Sequence, residues 1–260
     1  ADLTGIEHFT NLHELIACNN QITTLDLSGM TRLEKLDVSG CSKLQSLKLA
    51  GCTALMTLDA SSCALTTLDL TGCTALESLD CSDNALAALD LSGCTALNAT
   101  TQGDGKAENP ILSPQYLPEQ TGAVTGNGKC TVYLDAIVGK DHLGSVTRVP
   151  DANYDKQTGA AVYAKTPDYF SYSYDTGRKG LPAMTVYFEM QGLTSGVALN
   201  EKAFPDAAFR TLLAKTADVN GDGQLSTLEL RHVSELNCSN HGIADLTGIE
   251  HFTNLHELIA

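Results

Sequence analysis

Asp218–Glu229, DVNGDGQLSTLE, has the oxygen-ligand spacing that a hard cation needs. Asp218, Asn220 and Asp222 stand at alternate positions, Gly223 allows a sharp turn, and Gln224 offers its carbonyl. Ser226 would act through water, and Glu229 closes the loop as a bidentate carboxylate. This is an EF-hand-type loop, with Leu225 as its inward anchor. The expectation is one bound Ca²⁺ acting as a structural clip. The alternative is a loop that keeps this shape but stays empty. A regulatory role is not expected, because no second such loop and no Met-rich groove accompany it.

The other reactive side chains are less suggestive. Most of the nine cysteines follow the repeat register: Cys52, Cys73 and Cys94 share one column with Met30 and Phe9, and Cys41 and Cys63 share another with Asn. Positions where Cys alternates with Met, Phe and Asn are packing sites, and a free thiol there behaves as a small hydrophobe. No C-x-x-C occurs. The histidines, among them His13, His142 and His241, lie in turns or loops with no nucleophile, phosphate loop or zinc-ligand spacing around them. Catalysis is not expected. With a net charge of −15, the chain is also a poor match for phosphate backbones or anionic membranes. With no Trp and 5% aromatic residues, it lacks an aromatic sugar cleft or base-stacking platform. No apolar run reaches the roughly 18 residues of a membrane span.

The elements that must position these groups are repeats. Blocks beginning at Leu12, Leu33, Leu55 and Leu76 are spaced by 21, 22 and 21 residues. Each opens with L-x-x-L-x-L-x-x-N/C-x-L, as in Leu76, Leu79, Cys81, Asn84 and Leu86. That is leucine-rich repeat grammar: a short strand with alternate residues inward, then a tight turn around a small buried partner. The second half of each block, LDLSG, LDLTG or, in the second block, LKLAG, repeats the inward pattern on the opposite wall. No block can bury its apolar face alone, so stability must come from stacking. Stacking would set His13, Glu34, Met56 and Glu77 in one outward column, and Ile16, Asp37, Asp59 and Asp80 in another. A carboxylate stripe of Glu34, Asp37, Asp59, Glu77 and Asp80 could receive a basic protein or peptide; the bland reading is a solvated face.

The expected fold class is an α+β repeat protein, a leucine-rich repeat solenoid with a small helical EF-hand-type cap and a small β-sandwich-like domain. Residues 1–97 carry the repeats, and 98–121, rich in Gly and Pro, read as a linker or exit loop. Residues 122–192 read as the β domain, with a strand over Lys129–Val138 and a hairpin formed by Tyr169–Tyr174 and Met184–Phe188. Phe170, Tyr172 and Tyr174 share a face there, as sheet core or as a sugar- or peptide-binding stripe. This domain is expected to close the solenoid's last edge. Residues 193–203 are a connector, and Phe204–Lys215 reads as a helix with Pro205 and Asp206 in its first turn. The cap spans 204–232, and 233–260 returns to repeat grammar through Val233, Leu236, Cys238 and Ile243.

Residues 244–260, ADLTGIEHFTNLHELIA, are identical to residues 1–17. Neighbouring repeats agree at only about half their positions, so the identity is not repeat divergence. The order reads as a circular permutant with an overlap, with a window of a tandem array or an error in the sequence as alternatives. The strand near 255–260 of one molecule could stack on residues 12–17 of the next. The contact would use Leu255, Leu258 and Ala260 on one side and Leu12, Leu15 and Ala17 on the other. Such a head-to-tail contact makes rings or filaments.

The cap NEKAFPDAAFRTLL–DVNGDGQLSTLEL, the entry ADLTGIEHFTNL, the LDCS-x-N and LDLSG-x-TA repeats and the YSYDTG hairpin resemble bacterial secreted or surface leucine-rich repeat proteins. These are common in gut Bacteroidetes and Firmicutes and internalin-like in layout. In that family the cap comes first and the β domain last; here the order is repeats, β domain, cap. The resemblance implies an exported, extracellular or cell-surface, non-catalytic scaffold for binding or adhesion to a protein or glycan. The alternative is a head-to-tail self-assembling unit.

Overall fold

The computed structural model describes residues 3–101, 107–126, 129–190, 196–218 and 222–260. The chain divides into two units. One comprises Ala1–Leu117, Ala123–Lys165 and Ser171–Tyr187, the other Pro118–Gly122, Thr166–Phe170 and Phe188–Ala260.

In the first unit each repeat contributes a three-residue strand. On one wall β1 (Glu14–Ile16), β3 (Lys35–Asp37), β5 (Thr57–Asp59) and β6 (Ser78–Asp80) form a parallel sheet in the order β1-β3-β5-β6. On the other wall β2 (Thr24–Asp26) pairs in parallel with β4 (Ser46–Lys48). The central leucines Leu36, Leu58 and Leu79 lie opposite one another in register and are buried. Leu25, Leu47, Leu68 and Leu89 are buried on the facing wall, although only the first two lie in strands. Burying one such leucine contributes roughly 1.5–3 kcal/mol before entropy is counted. Asn19, Gly40, Ser62 and Asp83 form a column with positive φ, where each strand turns toward the second wall.

A ladder of small polar side chains fastens each turn to its predecessor. The Cys41 thiol donates to the Ala17 carbonyl (3.2 Å), the Cys63 thiol to Val38 (3.3 Å) and the Asn84 amide to Ala60 (2.8 Å). Asn84 also accepts from the Leu65 N–H (3.0 Å). All nine cysteines are free thiols.

The stretch read as an exit loop is instead partly built into the solenoid. β7 (Thr100–Thr101) pairs with β8 (Ala107–Asn109), and the chain then runs beside β6. Ile111 N–H donates to Leu79 (2.8 Å) and Cys81 N–H donates back to Ile111 (2.9 Å). Gln115 lies in β9 (Gln115–Tyr116) and takes the ladder position: its amide donates to the Cys81 carbonyl (2.7 Å), and its oxygen accepts from Leu86 N–H (3.1 Å). The prolines and the longer Gln side chain hide this rung from the repeat grammar.

β9 also belongs to the β domain, pairing in parallel with β16 (Met184–Phe188). Two four-stranded sheets make that domain. One has the order β10-β11-β14-β13, from β10 (Val124–Gly126), β11 (Lys129–Tyr133), β13 (Ala152–Tyr154) and β14 (Ala160–Tyr163). The other has the order β12-β15-β16-β9, with β12 (Val146–Arg148) and β15 (Phe170–Tyr174). The strand expected over Lys129–Val138 ends at Tyr133, and a short helix α1 (Asp135–Val138) follows, stopped by Gly139 at φ 84°. Tyr172 and Tyr174 are buried, so the tyrosine stripe is sheet core. The Tyr172 hydroxyl donates to the Ala87 carbonyl (2.7 Å), Leu91 N–H donates to Thr176 (2.8 Å), and the Arg178 guanidinium donates to the Cys94 and Thr95 carbonyls. The last repeat turn thus delivers its backbone groups to this domain.

The second unit is the cap. α2 (Ala207–Thr216) begins later than the expected Phe204, because Asp206 serves as its N-cap: its carboxylate accepts from Phe209 N–H (2.9 Å). Phe204 and Phe209 stack edge-on and are fully buried among Leu213, Leu225, Leu236 and Phe252. β17 (Val197–Ala198), inside the expected connector, pairs antiparallel with β18 (Gln224–Leu225). α3 (Thr227–His232) follows, and β19 (Glu235–Asn237) pairs in parallel with β20 (Glu257–Ile259). The φ of 79° at Gly223 supplies the turn between Asp222 and β18.

Candidate functional site

Two sites were legible in the sequence, and the structure treats them differently. On the sheet of β1, β3, β5 and β6, Asp37, Asp59 and Asp80 are direct neighbours in register. Glu34 and Glu77 are exposed in the adjacent column but are separated by the Met56 rung. At the same sheet's first edge Lys35 pairs with Glu14 (2.7 Å), an exposed bridge that raises the Lys35 pKa.

The three aspartates are only partly free to meet a ligand. Each Oδ1 accepts from the backbone N–H (3.0 Å) and the hydroxyl (2.7 Å) of the serine two residues on: Ser39, Ser61 and Ser82. These are Asx turns that bend the chain out of each strand. The second wall repeats the device: Asp26, Asp69 and Asp90 accept from the N–H of Ser28, Thr71 and Ser92 at 3.0, 2.9 and 2.8 Å. The side-chain hydroxyls of Thr71 and Ser92, and then their backbone N–H groups, hold the Asp69 and Asp90 carboxyls below the usual range. Asp80 is shifted up, mainly by burial, with the neighbouring Asp59 charge adding and the Ser82 bonds opposing. The recurrent D-x-S/T spacing carries this structural signal in the sequence.

In the loop, Asn220 lies outside the described residues. The Asp218 carboxylate accepts from Asp222 N–H (3.2 Å) and Gly223 N–H (3.0 Å), and Asp222 accepts from Gln224 N–H (2.7 Å). Ser226 caps α3: its hydroxyl accepts from Glu229 N–H (3.2 Å), and the Glu229 carboxylate accepts from Ser226 N–H (2.9 Å). That reciprocal pair is a capping box. Leu225 is fully buried in the cap core. The donor set is oxygen throughout, which fits a hard cation. Among the described residues no three His, Cys, Asp or Glu side chains converge as a metal cluster.

Sequence reading missed Glu189. Its buried carboxylate accepts from Leu228 N–H (3.0 Å) at the start of α3, and burial shifts its pKa upward. It precedes the loop by many residues, so no motif spacing points to it. Among the thiols, burial pushes Cys63 and Cys73 up to about 12, which disfavours their thiolates.

Residues 10–51 match the family described as Leucine Rich repeats (2 copies), in agreement with the ladders just described. Solved structures similar to the chain include two from Listeria monocytogenes. The functional domain of InlJ from Listeria monocytogenes, described as including a cysteine ladder, is 20% identical at a TM-score of 0.45 and covers 72% of this chain. Listeria monocytogenes InlP is 16% identical at a TM-score of 0.36 and covers 68%. The matches span 45% and 52% of those two structures. No curated protein matches the chain. Among the described residues no helix is long and apolar enough to cross a membrane.

Proposed function

We propose that this chain is a non-catalytic scaffold whose repeat sheet receives a basic segment of a protein partner. The observation that carries this reading is the stack of Asp37, Asp59 and Asp80 in register, flanked by exposed Glu34 and Glu77. Stacked strands repeat the carboxylates at about 4.8 Å, which makes a row of negative charge along the solenoid axis that long, flexible lysine side chains can reach. Export to the outside of a bacterial cell is part of the proposal and rests on the resemblance of the cap and repeat motifs.

The test must remove charge without removing turns. Asn can accept the same bonds as Asp, as Asn237 does from Ser239 (3.0 and 2.6 Å). Changing Asp37, Asp59 and Asp80 to Asn, with Glu34 and Glu77 to Gln, should leave folding intact. It should weaken capture of a lysine-rich peptide by ~10-fold or more, with affinity falling as salt rises. Binding that ignores both the substitutions and the salt would remove the proposal.

Asp218, Asn220, Asp222, Gln224, Ser226 and Glu229 would hold a Ca²⁺ that clips the cap. Glu229→Gln separates the two duties of this side chain, because Gln also completes a capping box. Stability without calcium should be unchanged, while the rise in melting temperature on adding calcium should disappear. If calcium does not shift the parent's melting, the clip is wrong. A second reading, self-stacking through the duplicated segment, is favoured by one observation: Phe9 is 63% exposed, and its copy Phe252 only 4%.

A further inference from the structure

Resting on that second reading, the contact can be specified bond by bond. Residues 1–17 and 244–260 are one sequence, and the two copies are covered on opposite sides. Phe252 lies in the cap core with Leu236 and Cys238, whereas Phe9 is exposed. In the second copy Leu258 and Ile259 are 41% and 46% exposed. Leu258 and Ala260 are the next-turn equivalents of Leu236 and Cys238, so a second molecule's tail offers Phe9 the surface that Phe252 already uses.

The backbone divides in the same way. β1 is paired on its forward side. The His13 carbonyl accepts from Glu34 N–H (2.8 Å) and Lys35 N–H (3.0 Å), and Ala17 N–H donates to Asp37 (2.8 Å). β20 is paired on its backward side. His256 and Glu257 N–H donate to the Ser234 carbonyl (2.9 and 3.2 Å), and the Ile259 carbonyl accepts from Cys238 N–H (2.6 Å). Each of these strands is terminal in its sheet. Each copy therefore displays, already formed, the pairing for which the other has an open edge.

We propose that β20 of one molecule pairs in parallel with β1 of a second copy, forming a head-to-tail chain of molecules. The His256 carbonyl accepts from His13 and Glu14 N–H of the second copy, and Ala260 N–H donates to its Ile16 carbonyl. Glu257 then lies opposite Glu14, Leu258 opposite Leu15, and Ile259 opposite Ile16. Every bond has its template in β1–β3 or β19–β20, and the register is that of both pairs. The interface is heterologous, so it propagates unless its rotation closes a ring. Its one unfavourable element is Glu257 opposite Glu14. The same position in β1–β3 holds the Lys35–Glu14 bridge, which shows what would relieve it.

Sedimentation of the full chain over a wide concentration range reads the association, and cross-linking reads the register. Mass should rise with concentration. Leu258→Asp and Ile16→Asp should each weaken association by ~10-fold or more, and Glu257→Lys should strengthen it several-fold. Leu258 and Ile16 are exposed, so each aspartate variant should melt near the parent temperature, which separates lost association from lost folding. A mixture of Ile16→Cys and Ile259→Cys chains should form a disulfide-linked dimer that neither chain forms alone, because opposed strand residues lie within bridging distance. A particle that stays monomeric at every concentration would overturn self-stacking altogether. Association that survives Leu258→Asp, or that gives no mixed cross-link, would overturn this pairing and leave self-stacking by another surface.

Discussion

The rung at 107–117 and the rungs before it reach the same geometry from different sequences. In the repeats, Cys41, Cys63 or Asn84 reaches back to the preceding turn. In the later rung a fully buried Gln115 makes the equivalent bond, and its amide also holds the Leu112 carbonyl (2.8 Å). What the solenoid requires at this column is a donor that can return to the strand behind it, and an acceptor where the next backbone N–H points inward. Residue type is secondary: a thiol supplies only the first requirement, an amide both.

Removing these groups one at a time should break the equivalence in a set order. Gln115→Ala strips a buried amide from Cys81, Leu112 and Leu86 and leaves a cavity. Its expected cost is about 3 kcal/mol in urea unfolding, because several buried groups lose their partners together. Asn84→Ala should cost about the same, since Leu65 N–H and the Ala60 carbonyl lose a partner. Cys63→Ala removes one weak donor and should cost only about 1 kcal/mol. If Gln115→Ala proved cheaper than Cys63→Ala, the 107–117 rung would not be part of the cooperative stack.

The positive-φ column sharpens the comparison on a smaller scale. Ser62 holds φ 53° where Gly40 holds φ 67°. Ser62→Gly relieves a strained conformation but loosens the unfolded chain, so a stabilisation below about 1 kcal/mol is expected. Gly40→Ala should do the opposite by about 1 kcal/mol or more, because its new Cβ would strike the Asn19 side chain. Opposite signs at equivalent positions, measured by thermal melting, are the result to look for.

Much of this was readable in advance because a solenoid states each requirement several times. Leu36, Leu58 and Leu79 recur at intervals of 22 and 21 residues, and the LDxS spacing repeats beside them. The 107–117 rung was hidden because its requirement appears once, in a different side chain that directly follows Pro114. The pairing of Val197–Ala198 with the calcium-type loop was hidden for a related reason, since two residues of strand leave no period to detect. Glu189 is the clearest case: only the fold brings it to Leu228. The acidic column was legible as a column, but half of its meaning is local, because its aspartates build turns as well as carry charge.

That double duty yields the smallest expected effect. Burial raises the Asp80 pKa above the ordinary 3.8, so the folded state favours the neutral acid there. The charge costs nothing below the unfolded value, and its cost develops as pH rises through the raised folded value. Asp80→Asn keeps an acceptor for Ser82 and carries no charge. Its melting temperature should exceed the parent's at neutral pH, and the difference should vanish at about pH 3. Asp69 on the other wall is the control. The Thr71 bonds lower its pKa below 3.8, so its contribution is present at neutral pH and is lost as pH falls through the folded value. Asp69→Asn should therefore melt slightly below the parent at neutral pH and converge with it in acid. If both variants shifted in the same direction, burial at the sheet would not be what distinguishes the two walls, and the acidic column would owe its character to sequence alone.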